Sequence, residues 1–343
     1  MAKDMNSMWC VEPGKIEMRE KPVYEIGSKD VLVKIAFSGI CPWDLRVYLG
    51  KKSVPLPRIL GHEIAGIVAE VGSDVKDLEV GTPVVGDFIV KCGVCENCRN
   101  ERENKCLSPT FLPGGYAEYA AFPRKNIYPI KHGVSLKSAA FTEPLATVYR
   151  GQKMLNLKPL ETEVVVGVGP IGQLHAQVAK AFGARVIAVD LIQERLDLAR
   201  ELGADEIINS SDQDMVAAIK ELTNGNGADA AVVTVPSSPL VSETVKALAI
   251  GGRVNIFAGI YPVDPISVDP NLIHYKELNL LGSADSTSND FYKALKLIED
   301  GLVKVEPLVS HLLPLSKLQE GLDIVARCQG MKVMIEVGGE MGE

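Results

Sequence analysis

The sequence predicts an α/β protein in two parts: an antiparallel β-rich domain and a doubly wound domain around a parallel sheet. Three observations carry that expectation. Short β-like runs broken by glycine and proline fill the chain as far as about position 140, the pattern of an antiparallel, partly barrel-like domain. From about residue 160, short strands alternate with helices of about ten residues, which implies a parallel sheet with helices on both faces. A length of 343 residues is also too great for one ordinary core.

Taken in order, 31–39 (VLVKIAFSG), 63–71 (EIAGIVAEV) and 116–122 (YAEYAAF) read as strands of the first part. In the second part 163–168, 185–190, 206–209, 228–235 and 253–258 read as strands. Helices over 171–182, 193–202, 215–222 and 240–248 lie between them. Past residue 285 come helices over 289–300 and 317–326 and a last strand at 332–337. That tail is too small for a third domain and is expected to return to the first. The expected division is therefore 1–146 with 286–343 against 147–285.

Hydrophobic residues make up 46% and charged residues 23% of the chain, the balance of a globular protein. The formal net charge of −8 gives a surface that repels nucleic-acid phosphates and anionic membranes. No segment reads as a signal peptide, and no apolar run approaches the roughly 18 residues of a membrane span. The expectation is a cytoplasmic protein with neither a nucleic-acid nor a membrane partner.

Of seven cysteines, Cys92, Cys95, Cys98 and Cys106 lie within fifteen residues, spaced C-x2-C-x2-C-x7-C. In a reducing compartment such a cluster reads as a metal site rather than a disulfide framework. Four thiolates satisfy tetrahedral zinc and leave no open position, which makes a structural site. An iron–sulfur cluster is the competing reading; zinc is favoured.

Gly167, Gly169 and Gly172 form GVGPIG, with Pro170 and Ile171 between them, at the turn from strand to helix. In that position the motif marks a dinucleotide site, where glycines allow close backbone approach and a helix N-terminus receives the pyrophosphate. Asp190 ends the next strand, beyond the helix that Gly172 helps to open. Its carboxylate can bind the adenosine ribose hydroxyls and would repel a 2′-phosphate, so NAD is favoured over NADP. Arg195 is placed to stack near the adenine or bond the ribose. Ala258 and Ser283 follow later strands and are expected to line the nicotinamide.

Cys41 in GICPWD, His62 in LGHEIAG and Glu143 in FTEPLA each say little alone. Together, in order over nearly the whole chain, these segments and GGYAEYA resemble the zinc-containing medium-chain alcohol dehydrogenase family. EPLA, IHYKEL and GSADS are similar to its sorbitol (iditol) branch, and EPLA also to its threonine dehydrogenase branch. The resemblance implies a GroES-like catalytic domain, a Rossmann cofactor domain and two zinc ions per chain. Cys41, His62 and Glu143 would hold the catalytic zinc with one position open, Asp44 would orient His62, and Glu63 would stand near the metal. Two departures matter. Trp43 stands where the family has a serine or threonine that relays the alcohol proton, and Arg46 where it often has histidine. Neither side chain can accept a proton, so both are assigned to the substrate pocket.

The implied activity is oxidation of a polyol or similar secondary alcohol with NAD. A threonine dehydrogenase-like reaction or a non-catalytic redox-sensing relative are the alternatives. A homodimer or homotetramer is expected, joined through 253–258 and the following 260–268, where Pro262 and Pro265 limit pairing.

Overall fold

Asp30–Gly39 is the hub of the first half of the fold, because its alternating side chains serve two cores. Val31, Val33 and Ile35 pack with Ile64, Val68 and Phe122 on one face. Leu32 faces the other core, with Met5, Tyr116, Leu318 and Ile335. One edge pairs antiparallel with Glu63–Val71 along its length. The other is shared by Tyr119–Pro123, against Asp30–Lys34, and Lys332–Glu336, against Phe37–Gly39. The seven-stranded sheet continues outward through Pro83–Gly86 to Ile127–Pro129, and through Lys332–Glu336 to Val309–Pro314. A three-stranded sheet of Lys15–Pro22, Asp4–Glu12 and Arg58–Ile59 lies on the same core.

The structure, a computed structural model, describes residues 4–338. Its chain divides into two units. The first runs to Ala146 and resumes at Thr287–Asp300 and from Val305; the second is Thr147–Ser286 with Gly301–Lys304.

The second unit is a six-stranded, wholly parallel sheet. Its order is Glu206–Asn209, Arg185–Asp190, Thr162–Val166, Ala228–Val233, Leu248–Ile256, Asn279–Gly282. Helices cover both faces, so the strands are apolar on both sides. Val164, Val166, Ile187 and Val189 pack toward Met215, Ile219 and Val241. Val165, Val186 and Ala188 pack toward Ala176, Ala179 and Leu196.

A buried polar group sits within that apolar interior. Gln152 Nε2 donates to Glu163 Oε1 at 2.7 Å and lies 3.1 Å from His175 Nδ1. Glu163 Oε2, His175 Nε2 and Gln152 Oε1 are buried with no hydrogen-bond partner. Burial pushes the Glu163 carboxyl up to about 8 and holds His175 down to about 3.

The α/β class and the pairing of an antiparallel with a parallel sheet are as expected. Several details differ. Tyr116 lies outside the strand, which is Tyr119–Pro123. The strand expected at 253–258 begins earlier, at Leu248: a register shift opposite Ala228–Ala230 absorbs Gly251 and Gly252 within Leu248–Ile256. That strand is internal: Asn279–Gly282 pairs on its far side and forms the sheet edge instead of 253–258. Among the described residues no helix is long and apolar enough to cross a membrane.

Candidate functional site

In the first unit, Cys41 follows the hub strand and caps the helix Pro42–Tyr48. Its Sγ accepts from Trp43 N at 3.4 Å, and its own amide donates to Asp44 Oδ2 at 3.3 Å. This reciprocal cap fixes Cys41 and Asp44 to one another. Asp44 is fully buried and also accepts from Gly61 N at 3.2 Å, while Tyr116 OH stands 3.0 Å from its Oδ2. His62 Nδ1 lies 3.5 Å from Asp44 Oδ1. A carboxylate at Nδ1 sets that tautomer and leaves the Nε2 lone pair as a donor.

The donor atoms of Cys41, His62 and Glu63 all lie within 4.8 Å of one another. Glu63 is buried and ion-paired with Lys332, whose ammonium also donates to Ile40 O at 3.0 Å. Gly39 makes room for this pair, since a Cβ there would run into the Glu63 carboxylate and the Lys332 stem. Glu143 lies in the first turn of the helix Thr142–Leu155 and outside the closest trio. Its charge environment includes His62, Glu63, Asp87 and Lys332, and burial pushes its carboxyl up to about 7.

Burial pushes the Cys41 thiol up. On His62 burial is outweighed by Asp44 and Cys41, which hold the imidazole well above its ordinary range. A buried thiol, an imidazole and carboxylates are the donor types zinc takes, and a divalent cation would offset the cost of burying them ionised. Trp43 stands edge-on to His62, ring centres 5.8 Å apart. Arg46 lies one turn further along the same helix.

The four clustered cysteines bring all their sulfurs within 4.8 Å of one another. Cys92 and Cys98 Sγ are 3.9 Å apart, and Cys95 and Cys106 Sγ 4.0 Å. Tetrahedral zinc with bonds of about 2.3 Å sets sulfurs about 3.8 Å apart, so the cluster fits the ion without rearrangement. Amides of Leu107, Cys95 and Cys92 point at three of the sulfurs. The Leu107 amide is the largest influence holding Cys95 down to about 6.

In the second unit Thr162–Val166 leads through Gly167 into the helix Pro170–Ala181, capped by Gly169. Gly167 has φ +87°, and a Cβ there would strike Thr234 and Val235. A Cβ on Gly172 would strike the Gly167 carbonyl, while Ile171 continues the first turn. Asp190 accepts from Val168 N at 2.8 Å and from Leu191 N and Ile192 N. Its carboxylate is thus fixed against the glycine turn. Arg195 Nη1 lies 3.9 Å from where a Gly169 side chain would begin, beside the glycine turn. Ala258 and Ser283 follow the C-terminal ends of their strands, the same sheet edge as Gly167 and Asp190. Ser283 bonds the buried Asn255 at 3.0 Å.

Sequence reasoning missed three residues. Thr234 donates to the Gly167 carbonyl at 2.6 Å. Tyr116 and Lys332 come to the Cys41 centre from distant segments; only the glycines before Tyr116 gave a signal.

Residues 27–132 match the family model described as Alcohol dehydrogenase GroES-like domain, and residues 170–300 the one described as Zinc-binding dehydrogenase. An L-threonine 3-dehydrogenase of Rhizobium etli (strain CIAT 652) is 30% identical over 329 residues, 93% of this chain and 94% of the relative. A zinc-binding dehydrogenase of Sinorhizobium meliloti 1021, solved with NADP bound, superposes with TM-score 0.91 at 29% identity, over 97% of this chain and 99% of that one. Galactitol-1-phosphate dehydrogenase of Escherichia coli gives 0.89 at 26% identity, over 97% and 100%.

Proposed function

The chain belongs to the zinc-binding alcohol dehydrogenase family, with zinc and a nicotinamide dinucleotide as cofactors, and from that premise we propose that it oxidises a secondary alcohol to the ketone and passes the hydride to NAD. A polyol or a related alcohol is the substrate class. The observation that carries this reading is the fixed set of Cys41, His62, Asp44 and Glu63 beside Trp43.

Cys41 and His62 would hold the zinc with Glu143. Glu63 already has its counter-charge in Lys332, which supports Glu143 as the third donor. When bound, zinc polarises the alcohol oxygen and stabilises the developing negative charge. Asp44 keeps His62 in the tautomer that presents Nε2. Trp43 and Arg46 cannot accept the alcohol proton; Glu63 Oε is the carboxylate at hand to take it. The cysteine cluster would hold the second zinc.

Asp190 supports NAD, since its carboxylate opposes a 2′-phosphate at the ribose. The enzyme is expected to act in the cytosol as a homodimer or homotetramer.

A second reading, a β-hydroxy amino acid as substrate, is favoured by the L-threonine 3-dehydrogenase relative. The test is reduction of NAD and NADP with a panel of polyols, simple secondary alcohols and L-threonine, together with zinc content by elemental analysis. Two zinc ions per chain and turnover of at least one alcohol are expected. A zinc-loaded protein that reduces neither cofactor with any of them would overturn the proposal.

A further inference from the structure

Between Asp44 and Glu63 the chain carries Arg46, Lys51, Lys52 and Arg58 and no acidic residue, in a protein whose net charge is −8. Both ends of this stretch are tied into the candidate zinc centre through Asp44 and His62. Trp43 and Arg46 lie three apart on one helix face. The amides of Lys51 and Lys52 donate to the Arg46 carbonyl at 2.8 and 3.0 Å, folding the two lysines back toward the helix end. Arg58 places its guanidinium carbon 6.0 Å from the centre of the Trp43 ring, and that same ring stands edge-on to His62. One indole thus bridges a guanidinium and the metal-side imidazole.

Lys51, Lys52 and Arg58 have no evident internal role. The nearby carboxylates are already engaged: Asp44 by His62, Tyr116 and two amides, Glu63 by Lys332. Among the described residues Lys51, Lys52 and Arg58 make no ion pair, and Arg58 Nε is buried with no hydrogen-bond partner. Asp323 influences Tyr48, but Tyr48 lies about 140° round the helix from Trp43.

Resting on the dehydrogenase reading above, we infer that the alcohol this site takes carries an anionic group, a carboxylate or a phosphate ester, held by Arg58 and the flanking cations while its carbinol meets the zinc ligands past Trp43. Arginine matches both anions with a planar fork of donors. A local positive field on an acidic protein concentrates anions at the site. A neutral polyol needs acceptors as well as donors, and the four cationic side chains only donate.

The experiment measures kcat/KM with NAD for matched pairs: glycerol against glycerol 3-phosphate, and butan-2-ol against 3-hydroxybutyrate. At least one anionic member should exceed its neutral partner about ten-fold or more, and which pair does so distinguishes phosphate from carboxylate. Arg58→Gln should lower that ratio about ten-fold, the loss of one charge-assisted contact, mainly through KM. The double change Lys51→Gln and Lys52→Gln, on exposed side chains, should lower it about three-fold. Wild type favouring the neutral members, or a ratio unmoved in both variants, overturns the inference. Binding is read separately by Trp43 fluorescence in a Trp9→Phe background, titrated with glycerol 3-phosphate. If no alcohol is turned over but the titration saturates and weakens in Arg58→Gln, the dehydrogenase reading fails and the anion site stands. If alcohols are turned over but the fluorescence does not respond, the anion site fails alone.

Discussion

Replacing Glu163 by Gln should remove the loss of stability above pH 6.5 that the buried Gln152–Glu163–His175 group gives the cofactor unit, and should leave the His175 slope below 6.5 unopposed. Glutamine copies the protonated carboxyl in shape and can still accept from Gln152. The folded carboxyl titrates at about 8 against an ordinary 4.5. The folded state therefore keeps a proton that the unfolded chain has already lost, and stability falls as pH rises from 4.5 to 8. His175 works in the other direction: held down to about 3 from 6.5, it makes stability fall as pH drops from 6.5 to 3. Between 4.5 and 6.5 the two slopes oppose each other, and above 6.5 only Glu163 acts. At about 1.4 kcal/mol per pH unit, the fall from 6.5 to 8 is about 2 kcal/mol. The assay is urea unfolding followed by far-UV circular dichroism at half-unit pH steps, wild type against Glu163→Gln, at constant zinc. The variant should gain on the wild type by that whole amount across the window. Parallel profiles would refute the reasoning, because they would mean Glu163 is ionised in the fold.

Three further outcomes are expected. Cys98→Ser should lower zinc content from two to one per chain and cost several degrees in the thermal melt, since structural zinc contributes folding free energy; His62→Ala should keep the fold and lose turnover. Asp190→Ala should reduce the NAD-to-NADP ratio of kcat/KM by about ten-fold, and an unchanged ratio would show that the carboxylate does not meet the ribose. Lys332→Met leaves Glu63 buried without its counter-charge and should destabilise the protein by about 3–5 kcal/mol in urea unfolding.

How far the sequence could be read depended on the range of each signal. Glu63–Val71 and Met215–Leu222 were legible to the residue because their apolar pattern is local. The glycine turn and the four-cysteine spacing likewise state their geometry within a few residues. The helix Thr142–Leu155 was missed although its Pro144 sits in the first turn, where proline is tolerated. The short edge strand Asn279–Gly282 has too few residues for a period to register. Tyr116 and Lys332 were out of reach for a different reason. Their partners stand 72 residues away in one case and 292 in the other, and no local pattern encodes such a meeting.

The placement of Lys332–Glu336 also orders events during synthesis. This strand covers the second edge of Phe37–Gly39, and its first residue carries the counter-charge of Glu63. The zinc-side unit therefore cannot close when the chain has left the ribosome only as far as Ala146. The nucleotide unit, almost continuous in sequence, can fold while that edge is still open. A nascent chain stalled before residue 332 would display an unpaired strand edge and an uncompensated carboxylate beside Cys41 and His62. Closure of the Cys41–His62–Glu63 centre thus waits on residues 332–336, far along the chain from the segments they complete.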